Sequence, residues 1–289
     1  MKKILTAILS LALACGLGLA VVGCGGGEYM INVSGGGSGV GISSAKEGTV
    51  EMGMASKKVE GEDAEGLEVY AICQDGIAVV VNNANTAVTD LTIEQLSGIY
   101  TGQIDNWSEL GGSDAAIAIG QREDGSGTRD AFLELLGIED ATTLAQAANT
   151  ANSTGSMMTY VAGNPNAIGY ISLGSLDETV KAVKVGGVEA TAENVLGGSY
   201  KLARPFNVVY KADTLKNNDL LADFLTFLKS KQAHDIIVDE GYVSGLAAAE
   251  SYAVPADKPA TMELDVNGST SVQPLMVLLS EAYVALLNA

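Results

Sequence analysis

From Ile31 onwards, short apolar runs of strand length alternate with stretches of helical character. The clearest strand is Ile77–Val81, a second is Phe206–Tyr210, and the clearest helix spans about residues 218–230 with a wide apolar face. This alternation predicts βα units around a mostly parallel sheet, which is an α/β protein. An apolar content of 47% supplies enough side chains for sizeable cores.

Weaker patterns complete this reading. Further strands are predicted at residues 31–33, 116–119, 168–171 and 263–266, and further helices at about 93–96 behind Thr92, 128–136, 157–161, 231–238 and 275–288. Residues 244–262 break the rhythm with two prolines and mixed charge, and are predicted to be an extended connector.

The first residues have the pattern of an export signal. Lys2 and Lys3 precede a long apolar run that ends in Val-Val-Gly-Cys, which predicts a lipoprotein signal peptide at residues 1–23, lipidation of Cys24 and a flexible tether at 24–28. An uncleaved anchor is the alternative, because the run approaches the roughly 17 residues that a spanning helix needs. Both readings place the protein outside the cytoplasmic membrane.

Charge and cysteine content exclude several classes. The chain has 16 basic and 35 acidic residues, so it lacks the basic surface that nucleic acid requires, and any bound anion must be held by local dipoles and hydrogen bonds. Cys73 is the one cysteine of the predicted mature domain and lies in an apolar run, where a small buried hydrophobe is expected. No internal disulfide, metal site or cofactor is predicted.

The strongest local motif is the Ser/Gly-rich turn QREDGSGTRDAF at residues 121–132, between a predicted strand and a predicted helix. Ser126–Thr128 lie where free N–H groups and the positive end of a helix dipole attract an anion. Arg122 can offer a planar guanidinium to an oxyanion, and Asp124 is placed to orient it. A solvated turn with a surface ion pair is the alternative.

Two further turns have the same strand-turn-helix pattern. One is SGGGSGVGI at residues 34–42, and the other is Gly268–Ser271 before a helix that begins near Pro274. The first is not a Walker loop and has no convincing dinucleotide fingerprint, which leaves a plain linker as its alternative. Three such turns in one chain predict a common anion site.

Together these turns resemble the PstS family of phosphate-binding proteins, which are extracytoplasmic receptors of ABC phosphate importers. The resemblance rests on REDGSGT at 122–128, GGGSG at 35–39 and GSTSV at 268–272, with support from residues 75–82, 96–107 and 166–170. It covers nearly the whole mature chain. It implies a two-lobed type II periplasmic-binding-protein fold that closes on one phosphate.

The resemblance also implies the ligands of that phosphate. They would be Ser38, Arg122, Ser126, Gly127, Thr128, Thr270 and Ser271. Asp124 would hold Arg122 in place. The implied partners are inorganic phosphate and the permease subunits of an ABC transporter, with a membrane attachment through the lipid on Cys24.

One family ligand does not carry over. Well-studied members have an aspartate where this chain has Lys57, within GMASKK at residues 53–58. An aspartate can accept a hydrogen bond from the proton of hydrogen phosphate, which sulfate lacks, so this route to selectivity does not carry over to Lys57. Ser56 or Lys57 is expected to donate to the anion instead, with Gly37 as a further candidate; the alternative for Lys57 is a solvated surface residue.

The order of segments also departs from the family. Family members run from the Thr/Ser turn and its helix into the Gly-rich turn, whereas here that βα unit, residues 263–289, follows the connector. The chain is therefore expected to be circularly permuted, with its terminal helix packed near Ile31. A domain-swapped dimer is the alternative, because it uses the same contacts. Lobe one is expected to comprise 29–74 and 205–289, and lobe two 75–204.

The function expected from the sequence is the capture of inorganic phosphate and its delivery to an ABC importer, without chemistry. A receptor for another tetrahedral oxyanion such as sulfate is the alternative. A secreted serine hydrolase using Ser126 or Ser271 is the remaining hypothesis, but His234 is the single histidine and is far from both in sequence.

Overall fold

The computed structural model describes residues 28–147 and 149–289. The expected signal peptide at 1–23 and the lipidation site Cys24 lie outside these residues. Within them, strands and helices alternate, and the predicted α/β class is confirmed.

The secondary structure has the following bounds. The strands are β1 (Met30–Gly35), β2 (Met52–Ala55), β3 (Glu68–Val81), β4 (Asp90–Leu91), β5 (Ala118–Arg122), β6 (Asn149–Ala151), β7 (Ala167–Ser172), β8 (Lys181–Ala182), β9 (Lys184–Val185), β10 (Ala203–Tyr210) and β11 (Glu263–Gly268). The α-helices are α1 (Ser38–Glu47), α2 (Ile93–Tyr100), α3 (Gly127–Leu135), α4 (Thr154–Gly163), α5 (Ala192–Leu196), α6 (Ala212–Asn217), α7 (Asp219–Leu228), α8 (Lys231–Asp239) and α9 (Gln273–Asn288).

One nine-stranded sheet runs through the described residues. Its order is β1-β11-β2-β10-β3-β7-β5-β6, with β8 beside β3. The strands β1, β11 and β2 are mutually parallel, and so are β7, β5 and β6, whereas β10 and β3 run antiparallel to their neighbours. The sheet is therefore mixed, with a parallel group at each end.

Two large clusters of buried apolar side chains define two lobes. The cluster of lobe one includes Phe224 and Tyr283, and that of lobe two includes Trp107 and Phe132. The long strand β3 and its neighbour β10 contribute to both clusters. The expected lobe boundaries, between 74 and 75 and between 204 and 205, fall within these two crossing strands.

The C-terminal βα unit is an integral part of lobe one. Strand β11 lies between β1 and β2, with Ile31 opposite Leu264 in parallel register. Helix α9 packs against β1, and its Asn288 accepts a hydrogen bond of 3.0 Å from the backbone amide of Tyr29. The expectation that the terminal helix packs near Ile31 is confirmed.

The connector at 244–262 contains no helix or strand, as predicted, but its contribution to the core was not predicted. Tyr252 is only 8% exposed and belongs to the cluster of lobe one. Its hydroxyl donates to the Asp223 carboxylate at 2.5 Å, and the hydroxyl of Tyr283 donates to the same oxygen at 2.8 Å. The prediction of a connector outside the core is therefore wrong at Tyr252, because an aromatic side chain in a Pro-rich segment can still fill a core position.

Cys73 is buried within β3, as expected of a small hydrophobe, and burial raises the pKa of its thiol. None of the helices in the described part of the chain combines the length and hydrophobicity that a bilayer-spanning helix needs.

Candidate anion-binding site

Four helices begin where the two lobes meet. They are α1 at Ser38, α3 at Gly127, α4 at Thr154 and α9, which follows the turn Ser269–Ser271. Hydroxyl groups at these four starts are hydrogen-bonded to one another or to a common neighbour. Because the N-terminus of a helix carries unpaired N–H groups and a partial positive charge, four such ends favour a negative ligand.

Hydroxyls of lobe one form the first half of the site. The backbone amide of Ser56 donates to Ser38 Oγ at 3.0 Å, and Ser269 Oγ donates to Ser56 Oγ at 2.9 Å. Ser269 Oγ itself accepts the amide of Ser271 at 3.2 Å. Ser38 Oγ and Ser56 Oγ also lie 3.4 Å apart, so one of these hydroxyls donates to the other and one hydroxyl hydrogen remains available to a ligand.

Hydrogen bonds between the lobes form the second half. Ser271 Oγ of lobe one lies 2.9 Å from Thr128 Oγ1 and 2.9 Å from Thr154 Oγ1, both in lobe two. The backbone amide of Gly39 donates to the carbonyl of Gly125 at 3.0 Å. The helix starts of the two lobes are therefore in direct contact.

Arg122 supplies the cation of the site. Its side chain is 2% exposed, at the end of β5, and its Nη2 donates to Thr270 Oγ1 at 3.2 Å across the lobes. Nε and Nη2 also donate to the two carboxylate oxygens of Glu123, each at 2.8 Å. Nη1 is buried and has no hydrogen-bond partner among the described residues. A buried guanidinium with one free donor is suited to an oxyanion.

The expected role of Asp124 is wrong. Its carboxylate pairs with Arg129 and its side chain is 95% exposed, whereas Glu123 holds Arg122. The reason is local: Asp124 precedes Gly125, which has a φ of 81°, and this turn leaves the shorter side chain on the surface beside the first turn of α3. The longer side chain of Glu123 reaches back along the guanidinium.

The residues proposed in place of the family aspartate separate in the structure. Ser56 lies inside the hydroxyl cluster. Lys57 points away from it, with Nζ 2.8 Å from Asp130 and 2.9 Å from Asp63. Burial alone would lower the pKa of Lys57, but the two carboxylates outweigh it and raise this pKa. The ammonium of Lys57 is thus occupied, and it is neither a free donor nor a solvated group.

Gly37 and Gly127 lie where segments of the two lobes or of neighbouring turns approach each other closely. The amide of Gly37, at a φ of 95°, already donates to the carbonyl of Gly268 at 2.9 Å. A Cβ on Gly127 would lie 2.2 Å from Ser38 Oγ and 3.0 Å from Ser56 Oγ. Only a glycine lets the start of α3 lie this close to lobe one. Ser126 caps α3, with its Oγ accepting the amide of Arg129 at 3.4 Å.

Sequence reasoning missed Thr154, Ser269 and Glu123. A signal for Thr154 was present, because NSTGS at residues 152–156 is another Ser/Gly-rich turn before an apolar helix, with a capping box at Ser153. Ser269 lay inside a turn that was recognised, and Glu123 adjoins Arg122.

A buried ion pair lies next to the cluster. Arg204 on β10 and Asp75 on β3 are directly opposite in the sheet, and Nη2 of Arg204 lies 3.1 Å from Asp75 Oδ2. Nη1 of Arg204 donates to the carbonyl of Ser56 at 3.0 Å. Burial raises the pKa of Asp75 to about 6, although Arg204 opposes this rise.

The arrangement is suited to binding a tetrahedral oxyanion. A serine nucleophile needs a neighbouring base. His234 lies on α8, outside the four helices that begin at the site, and Lys57 is held protonated by two carboxylates. Within residues 28–147 and 149–289, no group of three or more His, Cys, Asp or Glu side chains has the arrangement of a metal site.

Comparisons with known proteins identify relatives of this chain. Residues 26–232 match the family model of a PBP superfamily domain. The phosphate-binding protein PstS of Bacillus subtilis is 35% identical over 212 residues, which cover 71% of this chain and 68% of that protein. PstS 2 of Streptococcus pneumoniae is 41% identical over 173 residues, covering 58% of this chain. The chain spans only 57% of the length of that pneumococcal relative.

Solved structures give the same picture. A substrate-binding protein from Clostridium perfringens, assigned to a phosphate ABC transporter and solved with bound phosphate, is 40% identical with a TM-score of 0.70. The superposition covers 74% of this chain and 99% of that one. An ABC-type phosphate transport receptor from Vibrio cholerae is also 40% identical, with a TM-score of 0.60, and covers 72% of this chain and 85% of that one.

Proposed function

Because the chain belongs to the PstS family of phosphate-binding proteins within the PBP superfamily, we propose that it captures inorganic phosphate outside the cytoplasmic membrane and delivers it to an ABC importer. The expected two-lobed type II periplasmic-binding-protein fold is confirmed by the solved relatives. Phosphate is the ligand of choice because the similar protein from Clostridium perfringens was solved with phosphate bound.

One observation supports this function most strongly: the buried guanidinium of Arg122 donates to Thr270, and the neighbouring Ser269 and Ser271 are hydrogen-bonded to hydroxyls beside the other helix starts. The net charge of −19 would repel an anion at long range, so attraction must come from these local groups. Ser38, Ser126, Gly127, Thr128, Thr270 and Ser271 are the proposed further ligands, with Ser56 in addition. Glu123 replaces Asp124 as the group that orients Arg122.

A receptor for sulfate or another tetrahedral oxyanion is the second candidate. It is favoured by one observation: the proposed ligands are hydroxyls, N–H groups and a guanidinium, and the carboxylate of Glu123 beside them is bound by Arg122. Such a set offers donors to any oxyanion. The choice between hydrogen phosphate and sulfate therefore depends on whether one of the hydroxyl oxygens accepts a hydrogen bond from the P–OH group of hydrogen phosphate.

Isothermal titration calorimetry with phosphate, sulfate and arsenate tests both candidates. We expect phosphate to bind at micromolar concentration or below, sulfate to compete weakly, and Arg122→Met to abolish binding. Lys58→Met is the control, because its ammonium pairs with Glu134 on the surface. Equal affinity for sulfate would refute the phosphate assignment, and an unaltered affinity in Arg122→Met would refute the site.

The remaining parts of the proposal concern attachment and topology. We infer that Cys24 carries a lipid which tethers the protein to the membrane, where permease subunits of the importer receive the phosphate. We also infer that the unit β11-α9 is the permuted first βα unit of the family. Its parallel pairing with β1 supports this order, as does the family match, which ends at residue 232 before this unit.

A further inference from the structure

The two strands that cross between the lobes carry a fully buried ion pair. Side-chain exposure is 1% for Arg204 and 0% for Asp75. Taking two charges out of water costs several kcal/mol each, and a buried pair is often no more stable than apolar side chains of similar volume. Its stability alone therefore gives no reason for this pair, and its contacts must be considered.

Every described polar contact of Arg204 leads to one of two places. Nε and Nη2 donate to Asp75 Oδ2 at 3.3 and 3.1 Å, and Nη1 donates to the backbone carbonyl of Ser56 at 3.0 Å. The guanidinium also lies over the ring of Phe206, with its carbon 5.3 Å from the ring centre. The guanidinium of Arg204 thus links β3 to the residue that follows β2.

Asp75 connects the guanidinium of Arg204 to lobe two. Its Oδ1 accepts the hydroxyl of Ser172 at 3.0 Å, and its carboxylate also accepts the backbone amide of Gly174. Ser172 is the last residue of β7, a strand of lobe two. A continuous set of hydrogen bonds therefore runs from Ser56 in lobe one, through the crossing strands, to the end of β7.

Ser56 is the residue through which this set reaches the anion site. Its amide donates to Ser38 Oγ and its own Oγ accepts from Ser269, so the position of this residue bears on the hydroxyls of Ser38, Ser56 and Ser269. The carbonyl of Ser56 has the Nη1 group of Arg204 as its partner. A charged donor on that carbonyl fixes the peptide more firmly than a neutral one.

We propose that Arg204, oriented by Asp75, is a positioning residue for anion binding, which holds the Ser56 peptide in register with the crossing strands. The proposal rests on the proposed function, because it assigns these two residues to the same site. It gives the buried pair a role that a stabilising contact would not have: fixing the hydroxyls of Ser38, Ser56 and Ser269 relative to lobe two.

A pair of variants separates this role from a structural one. Arg204→Met alone leaves Asp75 buried without its partner and should destabilise the fold. The double variant Asp75→Asn with Arg204→Met removes both charges and should unfold within a few degrees of the wild type. It still lacks the donor to Ser56, and the lost hydrogen bond to a charged group predicts phosphate binding at least about tenfold weaker.

Two further variants complete the set. Arg204→Lys keeps the charge but offers one nitrogen, which cannot hold Asp75 and the Ser56 carbonyl as the fork does, so affinity should fall by about threefold or more. Tyr283→Phe is the control: it removes a buried hydrogen bond in the core of lobe one, and should lower the unfolding midpoint without changing phosphate affinity.

Calorimetric titration with inorganic phosphate and thermal unfolding are the measurements. Wild-type affinity in a folded double variant, or in Arg204→Lys, would overturn the proposal. Hydrogen exchange of the segment 52–57 without phosphate gives a readout that does not depend on the ligand: it should be faster in the double variant and unchanged in Tyr283→Phe. If the wild type fails to bind phosphate, the proposed function fails, and unchanged exchange in this segment would sink the positioning role as well.

Discussion

Gly127→Ala tests whether phosphate binding needs the close approach of α3 to lobe one. A Cβ at this position would lie 2.2 Å from Oγ and 2.8 Å from Cβ of Ser38, and 3.0 Å from Ser56 Oγ. Ser38 is fully buried and its Oγ already accepts the amide of Ser56, so it has little freedom to move aside. The substitution should therefore push the lobes apart by about 1 Å, the distance needed to reach ordinary van der Waals contact.

The cost of that displacement follows from the hydrogen bonds between the lobes. Ser271 makes two of them at 2.9 Å, Thr270 accepts one at 3.2 Å from Arg122, and Gly39 donates another at 3.0 Å. Lengthening them by about 1 Å takes all four beyond hydrogen-bonding distance. At about 1 kcal/mol each, and allowing for partial adjustment, the closed state loses about 2–4 kcal/mol, which weakens phosphate binding roughly 30- to 1000-fold.

Gly155→Ala is the matched control. Gly155 lies in the first turn of α4, and a Cβ there would meet no atom within 4 Å. Alanine is favoured over glycine in helices, so Gly155→Ala should be at least as stable as the wild type in thermal unfolding without phosphate. Gly127→Ala should remain folded, because its lobes can separate to relieve the contact with Ser38. Calorimetry should then show weakened binding in Gly127→Ala alone. An affinity within about threefold of the control would refute the reasoning.

Three further predictions test the electrostatics. Glu123→Ala should lower the unfolding midpoint without phosphate by about 4–8 °C, because it leaves a buried guanidinium short of counter-charge at a cost of about 2 kcal/mol, whereas Asp124→Ala should change it by less than about 1 °C. Burial raises the pKa of Asp75 to about 6, so the folded state binds the proton of this carboxyl group more tightly than the unfolded state does. The protonated carboxyl group therefore contributes to stability fully below about pH 4, and this contribution is lost as the pH rises through 6. In urea titrations, the free energy of unfolding of the wild type relative to that of Asp75→Asn should therefore fall by about 3 kcal/mol between pH 4 and 7. If the wild type and Asp75→Asn showed the same pH dependence, this prediction would be wrong. Lys57→Met removes the ion pair with Asp130 and should weaken phosphate binding only about two- to fivefold. At about 1 M salt its affinity should equal that of the wild type. A loss of affinity above about a hundredfold would instead mean that Lys57 contacts phosphate.

Much of the fold could be predicted because apolar periodicity is local. The strand Ile77–Val81 and the helix 218–230 were visible as continuous patterns; the strand lies within β3, and the helix corresponds to α7, which is slightly shorter than predicted. The length of β3 was not predicted, because it runs from Glu68 through the polar residues Gln74 and Asp75. Asp75 faces the buried Arg204 of a distant strand, which no local pattern reveals.

The site shows the same limit. Turns before helices can be recognised from sequence, so the regions around Ser38, Gly127 and Ser271 were found. The distinction between Glu123 and Asp124 depends on backbone direction in one turn, which composition does not encode. The pair Arg204–Asp75 joins residues 129 apart in the chain, and only the sheet register brings them together.

The place of β11 between β1 and β2 bears on how the protein is assembled. Strand β1 lies at the edge of the sheet, and its neighbour is β11, with Asn32 bonded to Asp265 across 233 residues of chain. Lobe two is continuous in sequence and can fold first. The edges of β1 and β2 that pair with β11 remain unpaired until the chain has been synthesised beyond residue 263. The anion site, whose last turn is Ser269–Ser271, therefore cannot form before this turn has been synthesised, and we expect a chain cut short before it to expose sheet edges instead of binding its ligand.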